Sequence, residues 1–226
     1  MEKADIKNLI FSSSAAVYGK ECISPIKEND ILEPINPYGR TKLVCENICR
    51  DMVLSNSGWR IILLRYFNPV GAHESGYLGE KPLNSATNLF PVIGDVVVGK
   101  RPQIEIFGDD YNSHDGSAVR DYIHVMDLAE GHVSALNWLK DHVKSSNFVE
   151  AFNLGTGKGT SVFEAINCYE IISKQKVAKK VSKRRLGDLP IVYANTNKAF
   201  LSLGWKAKRD LLAMVKDDWN YRETNK

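Results

Sequence analysis

The chain has 226 residues, 43% of them hydrophobic and 25% charged, and its 30 Lys and Arg against 27 Asp and Glu give a formal charge of +3. Apolar content of this size fills one substantial core or two small ones, so disorder is excluded over most of the length. No apolar stretch approaches the roughly 18 residues a membrane-crossing helix needs, since the longest, Ile61-Ile62-Leu63-Leu64 and Val96-Val97-Val98, are the size of strands or helix faces.

The opening Met1-Glu2-Lys3-Ala4-Asp5 carries both signs of charge and no apolar run or cleavage site follows it, which reads as cytoplasmic rather than secreted. Cys22, Cys45, Cys49 and Cys168 form no CxxC pair and fit reduced thiols. Cys45 and Cys49, one helical turn apart with no His or third Cys nearby, read as half-buried helix residues rather than metal ligands. Asn8 to Ser12 is a short apolar strand running into Ser12-Ser13-Ser14, and strand ends are where α/β enzymes place chemistry. Asn36-Pro37 is an N-cap with Pro at the first helical position. Leu43, Val44, Ile48 and Met52 then recur at helical spacing until Ser57-Gly58, a helix of about five turns. Arg60 to Arg65 holds a continuous apolar run, the pattern of a parallel strand buried on both faces, so strand, helix and strand make a βαβ unit.

Past Asn68-Pro69-Val70-Gly71 the pattern is mixed: an amphipathic segment from about Asn88 to Val98 and a short alternating strand, Ile104 to Phe107, read as a smaller second lobe. Tyr122 to Val125 reads as a strand and Asp127 to Leu139 as a helix with Leu128, Val133, Leu136 and Leu139 on its inner stripe. Ala151 to Leu154 is a further strand, and Ser161-Val162-Phe163-Glu164 is a capping box opening another helix. The amphipathic pattern returns from Ala207 to Arg222 through Leu211, Val215 and Trp219. Gly155-Thr156-Gly157-Lys158-Gly159 has its third glycine misplaced for a dinucleotide fingerprint and reads as a tight strand-to-helix turn. The seven basic residues between Lys174 and Arg185 lack interleaved aromatics, so a solvated face is expected rather than nucleic-acid binding. His124, in an apolar strand, reads as a satisfied core histidine, and Arg120 beside Asp121 is also the pattern of a plain ion pair.

Tyr38-Gly39-Arg40-Thr41-Lys42 places a phenol and an ammonium on one helix face. A tyrosine at its reference pKa of about 10 is a poor base at neutral pH, and a cation held beside it favours the phenolate, so the pair is a candidate tuned acid/base.

With the upstream Ser12-Ser13-Ser14-Ala15-Ala16-Val17-Tyr18-Gly19, the Asn36 to Lys42 segment resembles the extended short-chain dehydrogenase/reductase superfamily. Four later stretches, Leu64 to Ala72, Gly116 to Val125, Phe152 to Gly157 and Arg184-Arg185-Leu186-Gly187-Asp188, and the order in which they fall narrow the resemblance to the UDP-glucose 4-epimerase family. The motifs run from about Asn8 to Tyr221. The fold this implies is α/β, part of a Rossmann-like parallel sheet with a smaller mixed α/β substrate-binding lobe. Residues 1–70 would be the remaining Rossmann-like part, and 71–226 mainly the UDP-sugar lobe, with 121–156 returning to the sheet.

The resemblance implies NAD as cofactor and UDP-glucose and UDP-galactose as substrates, interconverted through a 4-keto sugar. Tyr38 would be the acid/base, Lys42 the cation that lowers its pKa and bonds the nicotinamide ribose, and Ser14 the orienting hydroxyl, with Ser12 and Tyr66 also at the cofactor. Phe67 and Asn68 would meet the sugar, and Thr87, Asn88 and Leu89 the diphosphate. Glu105, Ile106 and Phe107 would line the uridine pocket. Arg120 and Arg185 would grip the diphosphate, where a guanidinium fork suits paired phosphate oxygens, and Asp188 would bond a ribose or sugar hydroxyl. A homodimer through the Tyr38 helix is also implied.

The chain departs from the family in three places. The family's glycine-rich βαβ unit precedes the serine strand, and this chain opens at that strand. The expectation is therefore a truncated product that binds NAD poorly, forms a weakened dimer and carries Leu9-Ile10-Phe11 as an apolar sheet edge. Leu186 stands where an acidic residue is common, and Val192 falls near the position that gates sugar size. Two rival functions are a sugar-nucleotide dehydratase, whose extra Asp-Glu acid/base pair is replaced here by Ser13 and Ser14, and a non-catalytic UDP-sugar-binding fragment.

Overall fold

The computed structural model of the chain describes residues 1–55, 58–142 and 147–225. In chain order its strands are β1 (Asn8–Ser14), β2 (Arg60–Tyr66), β3 (Asn68–Val70), β4 (Ile104–Phe107), β5 (Val119–Arg120), β6 (Tyr122–His124), β7 (Phe148–Leu154), β8 (Thr160–Ser161), β9 (Lys179–Ser182) and β10 (Ile191–Val192). The helices are α1 (Pro37–Ser55), α2 (Leu89–Val97), α3 (Val125–Asp141), α4 (Val162–Ser173), α5 (Asn197–Leu203) and α6 (Leu211–Thr224). Two compact units result. The first comprises Met1–Phe67, Leu128–Gly157 and Ala194–Lys206, and the second Asn68–Asp127, Lys158–Tyr193 and Ala207–Lys226.

In the first unit β1, β2 and β7 form a parallel sheet with β2 at its centre. Ile61 to Leu64 are fully buried, as the continuous apolar run predicts. β1 is an outer strand of this sheet, with Leu9, Ile10 and Phe11 half-buried. Helix α1 contributes Cys49, Met52 and Val53 to a cluster with Trp59, Ile61, Leu63, Leu9 and Phe11.

Two expected stripes are corrected here. On α1 the buried residues are Gly39, Glu46 and Cys49, while Val44 and Ile48 are more than half exposed. The buried face is chosen by a close backbone approach at Gly39 and a buried ion pair at Glu46, not by apolarity alone. On α3 the inward row is Leu128, Gly131, Ala135 and Leu139, at helical spacing, with Gly131 against Leu154 and Trp205. Val133 and Leu136 fall off that row and are exposed. Of the Ser57-Gly58 stop signal, Ser57 lies outside the described residues.

The second unit holds three small sheets: parallel β3-β6, parallel β4-β9, and β10-β5-β8 with β5 at its centre. Its core gathers Phe90, Ile93, Val97, Ile104, Ile106, Ile166, Tyr169, Met214 and Val215. The segment expected to be amphipathic, α2, is a core helix: Phe90, Pro91, Val92, Ile93, Gly94, Val96 and Val97 are all buried, because α4, α6 and β4 cover it. The capping box forms as read, with Ser161 Oγ accepting from Glu164 N at 3.0 Å and Glu164 accepting from Ser161 N at 2.7 Å.

One further correction falls in this unit. Helix α6 starts at Leu211 rather than Ala207, because the buried Asp127 carboxylate accepts from the main-chain N–H groups of Lys208 and Arg209, and Asp210 then caps by accepting from Ala213 N at 2.9 Å. The basic run stays largely exposed, as a solvated face should, and within it Lys179 opens the strand β9; Lys176 and Lys179 pair with Glu170, and Arg184 pairs with Asp110.

Candidate functional site

In the first unit Asn36 Oδ1 accepts from Gly39 N at 2.8 Å, capping α1 as the Asn-Pro step predicts. Tyr38 stands in the first turn, 56% exposed, and Lys42 one turn on. The Lys42 ammonium donates to the Ser12 main-chain oxygen at 2.9 Å and lies 5.7 Å from the centre of the Tyr38 ring and 5.3 Å from that of Phe11. The helix spacing and the end of β1 thus bring Ser12, Tyr38 and Lys42 together.

Tyr66, closing β2, bonds Ser12 Oγ at 2.7 Å and also meets His132 Nε2. Burial pushes the Tyr66 phenol above its ordinary value; the Ser12 hydrogen bond opposes this and negative charge on Tyr38 adds to it. Ser14 accepts from Ala16 N at 3.1 Å and so caps the short 3-10 turn Ala15–Val17. Phe67 is buried, its N–H on Leu154 O at 3.0 Å.

The remaining candidates belong to the second unit and form three groups. Arg120 pairs with Asp188, not with the neighbouring Asp121 that its sequence suggests, and Val192 is opposite Arg120 in register. Asp121 is fully buried, its main-chain oxygen accepting from both Asn68 N and Asn68 Nδ2 at 2.9 Å. The second group pairs Phe107 with Arg185, whose guanidinium lies 3.8 Å above the ring centre. Beside them Glu105 accepts from Ser182 Oγ at 2.7 Å, whereas the Ile106 side chain is in the core and leaves only main chain for a ligand. Thr87, Asn88 and Leu89 lead into α2: Thr87 and Asn88 are exposed, Asn88 Nδ2 donates to Glu80 at 3.2 Å, and Leu89 packs on the core. A cavity of about 620 Å³ in this unit, lined by Pro82, Asp95, Trp219 and Arg222 among others, includes none of these residues.

The model of the NAD dependent epimerase/dehydratase family matches residues 1–155. The chain belongs to that family. It is 53% identical over 219 residues to UDP-glucose 4-epimerase 4 of Oryza sativa subsp. japonica, covering 97% of this chain and 58% of that protein. A UDP-glucose 4-epimerase from Stenotrophomonas maltophila, solved with NAD and formylated UDP-arabinopyranose, superposes with a TM-score of 0.95 at 43% identity, covering 100% of this chain and 66% of the other. The enzyme from Bifidobacterium longum, solved with NAD+ and UDP, gives 0.91 at 45% identity over the same shares. The chain therefore spans about three-fifths to two-thirds of the length of these relatives.

What motif reading missed in this family member is the network that seats the Tyr38 helix. Glu46, fully buried two turns beyond Tyr38, accepts from Arg65 Nε at 2.9 Å and Nη2 at 2.7 Å, from Ser13 Oγ at 2.5 Å and from Arg50 at 2.8 Å. Arg65 also donates to Tyr18 Oη at 3.0 Å, and Tyr18 donates to the buried Asn153 at 2.6 Å. Burial alone would oppose the Glu46 charge, but the hydrogen bonds and charge of Arg65, with those from Ser13 and Arg50, hold the carboxyl below its ordinary value. Burial likewise pushes the Tyr18 phenol up to about 12. Of the three serines, then, the middle one is structural. The available signal was an acidic residue in register with Gly39 and Cys49, and an arginine ending an apolar strand.

Proposed function

We propose that this chain carries the acid/base and sugar-nucleotide residues of a UDP-glucose 4-epimerase, interconverting UDP-glucose and UDP-galactose in galactose metabolism. The observation that carries the reading is the meeting of the Lys42 ammonium, the Ser12 carbonyl and the Tyr38 ring at the end of β1. Tyr38 takes the proton of the sugar 4-hydroxyl and returns it to the 4-keto sugar, Lys42 supplies positive charge beside the phenol, and Ser14 orients the hydroxyl. The residues present also fit the nicotinamide end of NAD. Lys42 has N–H groups beyond the one given to Ser12, and the hydroxyls of Ser12 and Tyr66 adjoin it. When bound, NAD supplies the hydride acceptor for oxidation at the sugar C4.

On the second unit, Arg120 and Arg185 suit the diphosphate, Phe107 a base face, Asp188 a ribose or sugar hydroxyl, Val192 the sugar gate, and the N-terminus of α2 after Thr87 and Asn88 phosphate oxygens. The buried Tyr111 hydroxyl, without a hydrogen-bond partner among the described residues, adds a polar atom beside the charges of Asp188 and Arg120. The outward Val44 and Ile48 of α1 support a homodimer through this helix. Free cysteines at all four positions are consistent with a cytoplasmic location. A dehydratase is disfavoured because Ser13, at a position where that chemistry uses a carboxyl, is buried against Glu46.

Incubating the chain with UDP-galactose and NAD and identifying the product by NMR tests the reading. UDP-glucose is expected, a 4-keto-6-deoxy sugar would select the dehydratase, and UDP binding with no product would select the non-catalytic fragment.

A further inference from the structure

His132, on α3 in the first unit, belongs to no motif of the sequence and adjoins the candidate site. Its Nδ1 is 2.9 Å from the carbonyl oxygen of Leu128. A carbonyl has no proton to give, so Nδ1 carries the hydrogen and, in the neutral ring, Nε2 is an acceptor. Nε2 faces the Tyr66 hydroxyl, with the ring centres 5.3 Å apart. Tyr66 has one proton, which burial of the phenol helps it to keep. Directed at Nε2, that proton is not available to Ser12, whose Oγ lies 2.7 Å from the same phenolic oxygen. At that distance either hydroxyl can donate to the other, so the tautomer of His132 decides which one does.

We infer that His132 is a positioning residue that orients the chain Ser12 to Tyr66 to His132, so that Ser12 spends its proton on Tyr66 and presents lone pairs to whatever docks at the end of β1. Ser12 is exposed, and its main-chain oxygen already anchors Lys42. Its side chain therefore selects a ligand N–H or O–H donor, the class to which a carboxamide N–H belongs, over a ligand carbonyl. The opposite tautomer would turn Tyr66 toward Ser12 and make Ser12 a donor. The catalytic consequence, though not the tautomer, rests on the epimerase reading of Tyr38.

Long-range ¹H–¹⁵N NMR on the full 226-residue chain at mildly alkaline pH reads the tautomer, and the Tyr66 Cζ resonance is compared in wild type, His132→Leu and His132→Gln. Protonation at Nδ1 is expected, with the Tyr66 resonance displaced in His132→Leu and largely restored in His132→Gln, whose side-chain carbonyl accepts as Nε2 does. In the epimerase assay His132→Leu should lose about 3- to 10-fold in kcat, the worth of one hydrogen bond, with KM for UDP-galactose nearly unchanged and with recovery in His132→Gln. An Nε2-protonated ring, or a Tyr66 resonance indifferent to both variants, overturns the inference. A wild-type chain that turns over no UDP-galactose counts against the epimerase reading, while the tautomer and the Tyr66 resonance still decide the role of His132.

Discussion

Gly39→Ala tests how the Tyr38 helix is seated. A Cβ at Gly39 would lie 2.1 Å from the Ala16 carbonyl oxygen, 2.9 Å from its carbon and 2.8 Å from Pro34 Cβ. Real Cβ atoms essentially never come within 3.0 Å of a neighbour, so α1 and the Ala15–Val17 turn must separate by about 0.9 Å. The obstructing atoms are backbone, the turn is held by the Ser14 cap, and α1 is held by Glu46 on Arg65, so neither side yields easily. In an unstrained helix the same substitution stabilises by about 1 kcal/mol, whereas overpacking costs about 1–3 kcal/mol. The net expectation is a loss of about 1–2 kcal/mol, a fall in Tm of about 2–8 °C for a chain of this size. Because the displacement separates Tyr38 and Lys42 from the end of β1, turnover should fall by about 100-fold. Thermal melting followed by circular dichroism, with the UDP-galactose assay on the same samples, measures both. An unchanged or raised Tm with unaltered turnover would refute the close seating of α1.

Arg65→Leu leaves Glu46 buried without its main cation and should cost about 3–5 kcal/mol in urea unfolding, most of it recovered when Glu46→Leu is added; equal stability of the two variants would show that the pair carries little. His124 is fully buried, with Nε2 3.1 Å from Asp217 and Nδ1 accepting from Met126 N at 3.0 Å, and burial chiefly lowers its pKa below the ordinary value near 6.5. Between its folded and unfolded values the unfolded chain binds more protons, so its stabilisation is fully present above about pH 6.5 and is lost as the pH falls through that window. His124→Gln should flatten the dependence of Tm on pH there, and an unchanged slope would contradict the assignment. Arg185→Ala should weaken UDP binding by about 10-fold or more in calorimetry, as expected for loss of a charge-assisted contact.

The elements written in local chemistry were legible. Asn36-Pro37 announces α1, the apolar run announces β2, and Ser161 with Glu164 announces α4, because each depends on residues a few positions apart. The serine strand and the Tyr38-Lys42 spacing named these residues as candidates, but the contact of Lys42 with the Ser12 main-chain oxygen, 30 positions away, depends on the tertiary fold. What stayed hidden depends on partners distant in sequence. Glu46 looks like a solvated helix residue until β2 brings Arg65 to it, and His132 has no meaning without Tyr66. Periodicity marks Val44, Ile48, Val133 and Leu136 as apolar but says nothing of which face receives the sheet. It also runs on through Ala207 to Asp210, where Asp127, about 80 positions earlier, claims the main-chain donors and delays the helix. Arg120 found Asp188, 68 positions further on, rather than its neighbour, and no local pattern announces a partner that distant.

The most direct test is the rate of UDP-galactose conversion by Tyr38→Phe against wild type, at saturating NAD and substrate, with UDP affinity measured alongside. If Tyr38 exchanges the proton, the variant loses about 100- to 10,000-fold in kcat while UDP binds as before. Equal rates in the two proteins would contradict the assignment of Tyr38 as the acid/base.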